Sequence, residues 1–184
     1  VVAATVASAQ PKREVQASDL DVKQLAEERR ESYAVADYPA AIAASREGLQ
    51  RAEEAGNRTD QALFLRNLAF DNWVIGNMDL AINYSNRLRH VAEELQSDLL
   101  QSRAHRILSL IHESLRDLPR SRTHAEEAVR LARSAQHRAA LMYWLACLGR
   151  CEMHAGNFAE ARRHFTTVLR HWQRNNEWTA ANAE

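Results

Sequence analysis

Two cysteines and a histidine fall on one side of a predicted helix. Cys147, Cys151 and His154 are four and three residues apart, a spacing that brings side chains to one helix face. Thiolate and imidazole are ligands that Zn²⁺ prefers in tetrahedral sites, and His112 or Glu152 would be available as a fourth ligand. Structural zinc sites usually draw ligands from a turn, however, and cysteine is often a buried packing residue. We therefore favour packing for both cysteines and expect no metal or other cofactor.

Three other histidines carry chemistry that depends on pH. His124 and His164 are forty residues apart, and His171 follows seven residues after His164. If these side chains gained protons together at about pH 6, their repulsion would loosen the fold. The alternative is that His124 and His164 are exposed residues at equivalent positions of a duplicated segment.

Motifs that are typical of catalysis are missing from the sequence. There is no glycine-rich phosphate loop, no nucleophile elbow and no pair of acids at the end of a strand. Regular helices also leave most side chains exposed. Exposed groups are not desolvated, so their pKa values are not shifted strongly, as catalysis usually needs. We expect this segment not to be an enzyme, whereas an attached output domain outside the chain is free to be one.

The composition favours helices and gives no bulk charge for binding nucleic acid. The 184 residues include only five Gly and three Pro, and residues with high helix propensity dominate. The 24 basic and 24 acidic side chains cancel. Residues 1–97 have a net charge of −4, and residues 98–184 have a net charge of +4. The sequence therefore predicts a helical protein with a weak charge dipole.

One short segment recurs at a constant distance and sets the positions of the helices. It is most complete as Gly-Asn-Phe-Ala-Glu-Ala-Arg at residues 156–162, and earlier copies begin at Ala36, Gly76 and Arg116. These starting positions give a period of forty residues, with no insertion. A second kind of turn lies halfway between these copies, at Gly56, Gln96, Gln136 and Asn176. Two turns in each period predict two antiparallel helices in each repeat.

These turns divide the chain into four helix pairs and predict an all-α fold, an α-solenoid. We assign residues 1–17 to the remains of a signal peptide and a polar lead-in, and residues 18–176 to the repeat domain. Residues 177–184 look like the beginning of a further, truncated helix of a fifth pair. The predicted repeats span about 18–57, 58–97, 98–137 and 138–176.

The repeats resemble the tetratricopeptide repeat (TPR). That family has a large residue, Leu and a small residue in the first helix, followed by Ala and an aromatic residue in the second. The small residue lies where the two helices cross, and Ala69, Ser109 and Gly149 suit that position, but Arg29 does not. The period here is forty residues instead of ~34. The matching positions of the last three pairs are Leu65, Leu68, Ala69, Ala81 and Ser85; Leu108, Ser109, Ser121 and Ala125; and Leu145, Leu148, Gly149, Ala161 and Phe165.

The resemblance implies a right-handed superhelix in which the first helix of each pair lines a concave groove. Arginine binds carboxylates and phosphates through its forked guanidinium group, and aromatic rings supply rigid apolar area. The expected ligand is therefore a protein or peptide, in particular an acidic one, or a small anion. The residues expected in or beside the groove are Lys23, Arg30, Tyr33, Arg66, Asn67, Phe70, Trp73, Arg103, Arg106, Tyr143 and Arg150.

The first ten residues, VVAATVASAQ, end in the Ala-x-Ala pattern that precedes signal-peptide cleavage, at Ala7-Ser8-Ala9. They predict export to the periplasm. Long-period arrays of this kind resemble the extracytoplasmic sensor regions of bacterial membrane-bound signalling proteins such as diguanylate cyclases. That resemblance implies a sensing module. We also expect a homodimer through the end of the array, because it would cover the exposed end near Trp178. The alternatives are the cytoplasmic peptide-binding region of a transcription regulator and a general assembly scaffold.

Overall fold

The computed structural model describes the backbone of residues 17–175 and the side chains of residues 21–173. This part of the chain consists of α-helices joined by three-residue turns, and it contains no strand, which confirms the predicted all-α fold. The predicted leader (1–10) and the predicted start of a further helix (177–184) lie outside it. The helices are α1 (Ala17–Ala34), α2 (Tyr38–Glu54), α3 (Arg58–Val74), α4 (Met78–Glu94), α5 (Asp98–Ser114), α6 (Leu118–Ser134), α7 (Arg138–His154) and α8 (Phe158–Asn175).

The turns between these helices share one backbone conformation. Each contains a residue with positive φ, the left-handed region that glycine adopts at no steric cost. At the turn between α2 and α3, Gly56 N–H donates to the Glu53 carbonyl at 3.0 Å, and Asn57 N–H donates to the Ala52 carbonyl at 2.9 Å. This is the Schellman pattern. The residues with positive φ are Ala36, Gly56, Gly76, Gln96, Arg116, Gln136 and Gly156.

The residue after the left-handed one also begins the next helix. Asn57 Oδ1 accepts hydrogen bonds from the backbone N–H groups of Thr59 and Asp60, at 3.1 and 3.2 Å. Ser97 and Asp117 cap α5 and α6 in the same way. Because one residue both closes a helix and caps the next, the chain reverses within three residues.

The helices pack as two layers of an α-solenoid. Each helix contacts the next one along the chain, and α3 also contacts α5, which contacts α7. The first helices of the pairs therefore form an inner layer and the second helices an outer layer. The part of the chain that the structure describes has no helix long and apolar enough to cross a membrane.

The small residues predicted at the helix crossings are buried. Ala69 and Ser109 are at most 1% exposed. A β-carbon on Gly149 would lie 3.0 Å from Cε1 of Phe165, which shows how closely α7 and α8 approach. Sequence reasoning missed a second close approach: a β-carbon on Gly48 would overlap the fully buried ring of Phe64.

The left-handed turns predict an unusual effect of glycine substitution. Gln96→Gly should raise the free energy of unfolding by about 0.5 to 1 kcal/mol, because a residue with a β-carbon is strained at positive φ. The same change at Gln50, exposed in the middle of α2, should lower it by a similar amount. Urea denaturation measures both variants. A loss of stability in Gln96→Gly equal to that in Gln50→Gly would contradict the left-handed conformation of residue 96.

Candidate functional site

A cavity of about 1240 Å³ opens on the inner layer of helices. Its lining residues come from α1, α3, α5 and α7, as the resemblance to tetratricopeptide repeats led us to expect. We call this cavity the groove. It is lined by Arg29, Arg30, Tyr33, Ala34, Arg66, Asn67, Phe70, Arg103, Arg106, Ile107 and Trp144.

Most of the predicted groove residues line it. The structure brings together two from α1, three from α3 and two from α5. It places Lys23, Trp73, Tyr143 and Arg150 outside the lining. The predicted residues that line the groove are Arg30, Tyr33, Arg66, Asn67, Phe70, Arg103 and Arg106.

The predicted aromatic residues outside the lining have other contacts. Trp73 packs against Phe70 and donates its indole N–H to Ser114 Oγ at 2.9 Å, so it joins α3 to α5 beside the groove. Tyr143 is 42% exposed, and its ring lies edge-on to Trp172 of α8, 5.9 Å between centroids. The ring therefore belongs to the contact between α7 and α8.

Arg150 is neutralised by an acidic residue of the neighbouring inner helix. Its Nε and Nη2 atoms each donate to a carboxylate oxygen of Glu113 at 2.7 Å. His154 Nε2 also lies 3.2 Å from Glu113 Oε1. Arg150 is thus part of an ion-pair network and is not available to an anion in the groove.

Two important residues of the groove, Arg29 and Trp144, escaped sequence reasoning. Each pairs with a residue 42 positions away in a neighbouring inner helix: Arg29 with Asp71, and Trp144 with Ser102. Residues of neighbouring inner helices that are 42 positions apart, one repeat plus two residues, therefore lie in contact in both cases. Opposite charges at that spacing were a signal in the sequence that would have identified the first pair.

Arg29, the large residue at the small-residue position of the first repeat, pairs with Asp71 of the neighbouring inner helix. Arg29 Nε donates to Asp71 Oδ2 at 3.1 Å, and Nη2 pairs with Oδ1. The guanidinium also lies 4.5 Å from the centroid of the Tyr33 ring. Burial raises the pKa of the Asp71 carboxyl, while the bond from Arg29 opposes that rise. The side chain of Arg29 therefore bridges α1 and α3 at the base of the groove.

Arg66 and Arg103 bring positive charge into the groove from α3 and α5. Burial, the proximity of Arg103 and then that of Arg29 lower the pKa of Arg66 to about 10. Burial lowers the pKa of Arg103 as well. Arg66 Nη2 donates to Asn67 Oδ1 at 3.1 Å. Among the described residues, neither arginine forms an ion pair with a carboxylate.

Arg106 lies between two aromatic side chains of the groove. Its guanidinium carbon is 5.7 Å from the centroid of Phe70 and 5.0 Å from that of Trp144. Such contacts hold a cation against apolar surface. Its Nε is buried and has no hydrogen-bond partner within the described part of the chain. Arg106 therefore has a buried donor that no described residue satisfies.

The cysteine and histidine stripe on α7 divides between two environments. Cys151 Sγ lies 3.4 Å from Ser121 Oγ and 3.9 Å from Ser109 Oγ, and burial raises the pKa of the thiol. His154 instead faces Glu113. Within the described residues no group of three or more His, Cys, Asp or Glu side chains is placed to hold a metal ion. The burial of Cys151 agrees with a packing role.

His124 belongs to a cluster that sequence reasoning did not find. Its Nδ1 lies 3.1 Å from Nδ1 of His105, and its ring stacks on His112 with centroids 5.3 Å apart. Burial and the two neighbouring imidazoles lower its pKa to about 4. His164 belongs to another region, where burial lowers its pKa too. The hypothesis of joint protonation at about pH 6 therefore does not fit His124. The alternative, that His124 and His164 are exposed, does not fit either, because both side chains are partly buried.

The histidine cluster predicts a loss of stability in acid. An unfolded histidine titrates at about pH 6.5. Because the pKa of His124 is depressed to about 4 in the fold, the unfolded state binds more protons between these values. The melting temperature should fall as the pH drops from about 6.5 towards 4, and less steeply in His124→Gln. His90→Gln, at a histidine that is 74% exposed, is the control. Identical pH profiles for the parent and His124→Gln would contradict the cluster.

Comparison with known proteins shows likeness at the level of fold. No family model and no curated protein matches the sequence. Among solved structures, the chain superposes on the crystal structure of the apo form of RapI with a TM-score of 0.77 and 13% sequence identity. The match covers 89% of this chain and 60% of RapI. Together with the repeated helix pairs, this likeness confirms the predicted α-solenoid fold.

Proposed function

We propose that this chain is a non-catalytic binding module whose groove holds an acidic segment of a protein or peptide. The observation that carries the proposal is the set of three arginines that project into the groove without a carboxylate partner among the described residues: Arg66, Arg103 and Arg106. A carboxylate that enters the groove would gain charge-assisted hydrogen bonds without displacing an ion pair.

The size of the groove favours an extended chain over a small molecule. Pockets for small ligands enclose about 300 to 1,000 Å³, and the groove encloses about 1240 Å³. Neighbouring packed helices lie about 8 to 10 Å apart, which is about the length of one three-residue turn of a peptide in the polyproline II conformation, where every third side chain faces the same side. Acidic side chains three residues apart would therefore meet arginines from successive inner helices, and the rings of Phe70 and Trp144 would contact apolar side chains between them.

Charge reversal tests the groove. The triple variant Arg66→Glu, Arg103→Glu and Arg106→Glu should bind a fluorescent peptide with glutamate at every third position at least tenfold more weakly than the parent, because attraction becomes repulsion. Fluorescence anisotropy at two salt concentrations measures affinity and its electrostatic part. The control carries the same charge change on the exposed outer-layer residues Arg46, Arg133 and Arg170.

Two results would contradict the proposal. One is equal binding of the peptide by the parent and the groove variant. The other is an equal loss in the outer-layer control, since that would show that only the net charge matters. Circular dichroism of each variant establishes that the helices are retained.

For the cellular setting, the proposal is export to the periplasm and regulation of an attached output domain, such as a diguanylate cyclase. The Ala7-Ser8-Ala9 pattern and the long repeat period support it. A cytoplasmic peptide-binding region of a transcription regulator and an assembly scaffold stay as alternatives, since the same groove would serve them. We expect an antibody against the chain to detect it in the periplasmic fraction of the source cells. Detection in the cytoplasmic fraction alone would contradict export.

Homodimer formation through the end of the array also stays a prediction. The apolar surface that such a dimer would cover lies on α8, where Phe158 is 70% exposed, Phe165 39% and Leu169 48%.

A further inference from the structure

Arg66 and Arg103 concentrate more positive charge than one carboxylate can neutralise. They lie on neighbouring inner helices and line the same part of the groove. Arg29 lies close enough to lower the pKa of Arg66, and Asp71 is the acidic side chain that opposes this effect. Three guanidinium groups and one carboxylate leave a net charge of +2 when all are ionised.

The neighbouring side chains hold the two arginines in the groove. Asn67 is 5% exposed and accepts a hydrogen bond from Arg66, which limits the rotation of that guanidinium. Because Asp71 is paired with Arg29, it leaves Arg103 and the remaining donors of Arg66 to a ligand. Arg106 packs between the rings of Phe70 and Trp144.

We propose that Arg66 and Arg103 form a subsite for one phosphoryl group in its dianionic form. The subsite lies in the groove that we propose binds an acidic ligand, so this inference rests on the proposed function. A dianionic phosphoryl group, with a charge of −2, neutralises the net charge of +2, whereas a carboxylate, with a charge of −1, neutralises only half of it. Its oxygens accept bonds from two guanidinium forks at once. The source of the group is either a phosphorylated side chain of the bound peptide or a free phosphate compound.

The pH dependence of binding separates a dianion from a carboxylate. A phosphoserine loses its second proton at a pKa of about 6, so its affinity should rise between about pH 5 and pH 7.5. Protonation of Asp71 would act in the opposite direction, because it makes the subsite more positive at low pH. The remaining charged or titratable groups of the described lining are arginines and Tyr33, whose pKa is raised by burial. A glutamate peptide, whose side chains stay mostly ionised above about pH 5, reports the contribution of Asp71.

The experiment is isothermal titration calorimetry of the whole chain at constant ionic strength. The probes are inorganic phosphate and three versions of one acidic peptide, with phosphoserine, glutamate or serine at a central position. At about pH 7.5 the phosphoserine peptide should bind at least tenfold more tightly than the glutamate peptide. Arg66→Gln and Arg103→Gln should each remove most of that preference. Arg46→Gln, at an exposed outer-layer residue, should leave it unchanged.

The outcomes distinguish this proposal from the proposed function. Equal affinity for the phosphoserine and glutamate peptides, or an unchanged preference in Arg66→Gln and Arg103→Gln, would overturn the phosphoryl subsite and leave the acidic-peptide groove intact. If inorganic phosphate binds and all three peptides fail to bind, the subsite is supported and belongs to free phosphate compounds, and the peptide function is overturned. Failure of every probe would overturn both. Thermal melts of the variants show whether each one is folded.

Discussion

The fold depends on one backbone conformation, a left-handed residue that follows each of the helices α1 to α7. Its positive φ closes one helix and places the next residue where it can cap the following helix. The chain therefore reverses in three residues each time, and the six helices between α1 and α8 have 17 residues each. Equal helices and equal turns keep every repeat in the same register. That register brings arginines from three inner helices into one groove.

Sequence reasoning predicted the α-solenoid because glycine at three of the turns has a clear physical meaning. Ala36, Gln96, Arg116 and Gln136 have no local preference for positive φ, and only the constant period identified their positions. Positive φ strains these four residues, and the packing of the helices on both sides of each turn offsets that strain. No local pattern predicts that packing.

Seven of the eleven residues predicted for the groove line it and four lie outside the lining, and these differences have a common cause. Successive residues of a helix point about 100° apart, so a repeat pattern identifies the inner side but not which of two adjacent rings faces the groove. Tyr143 and Trp144 show this: the Tyr143 ring packs on α8, and Trp144 is left to face Arg106. Arg29 was missed because its meaning depends on Asp71, one repeat away. The net charge of zero did not indicate a basic groove for a related reason. The fold places arginines together on the inner helix faces, and most of the balancing acidic residues lie elsewhere.

The contacts within the two layers have a mechanical consequence. Inner helices touch one another mainly through α3 with α5 and α5 with α7, whereas every inner helix is packed against outer helices on its flanks. Contacts between alternate helices therefore lie on the concave side, and a change in the spacing of the inner helices has to repack them. A ligand that bridges Arg66 and Arg103 would connect α3 to α5 on the concave side. It would thereby fix the spacing of two helix pairs and, with it, the curvature of the array.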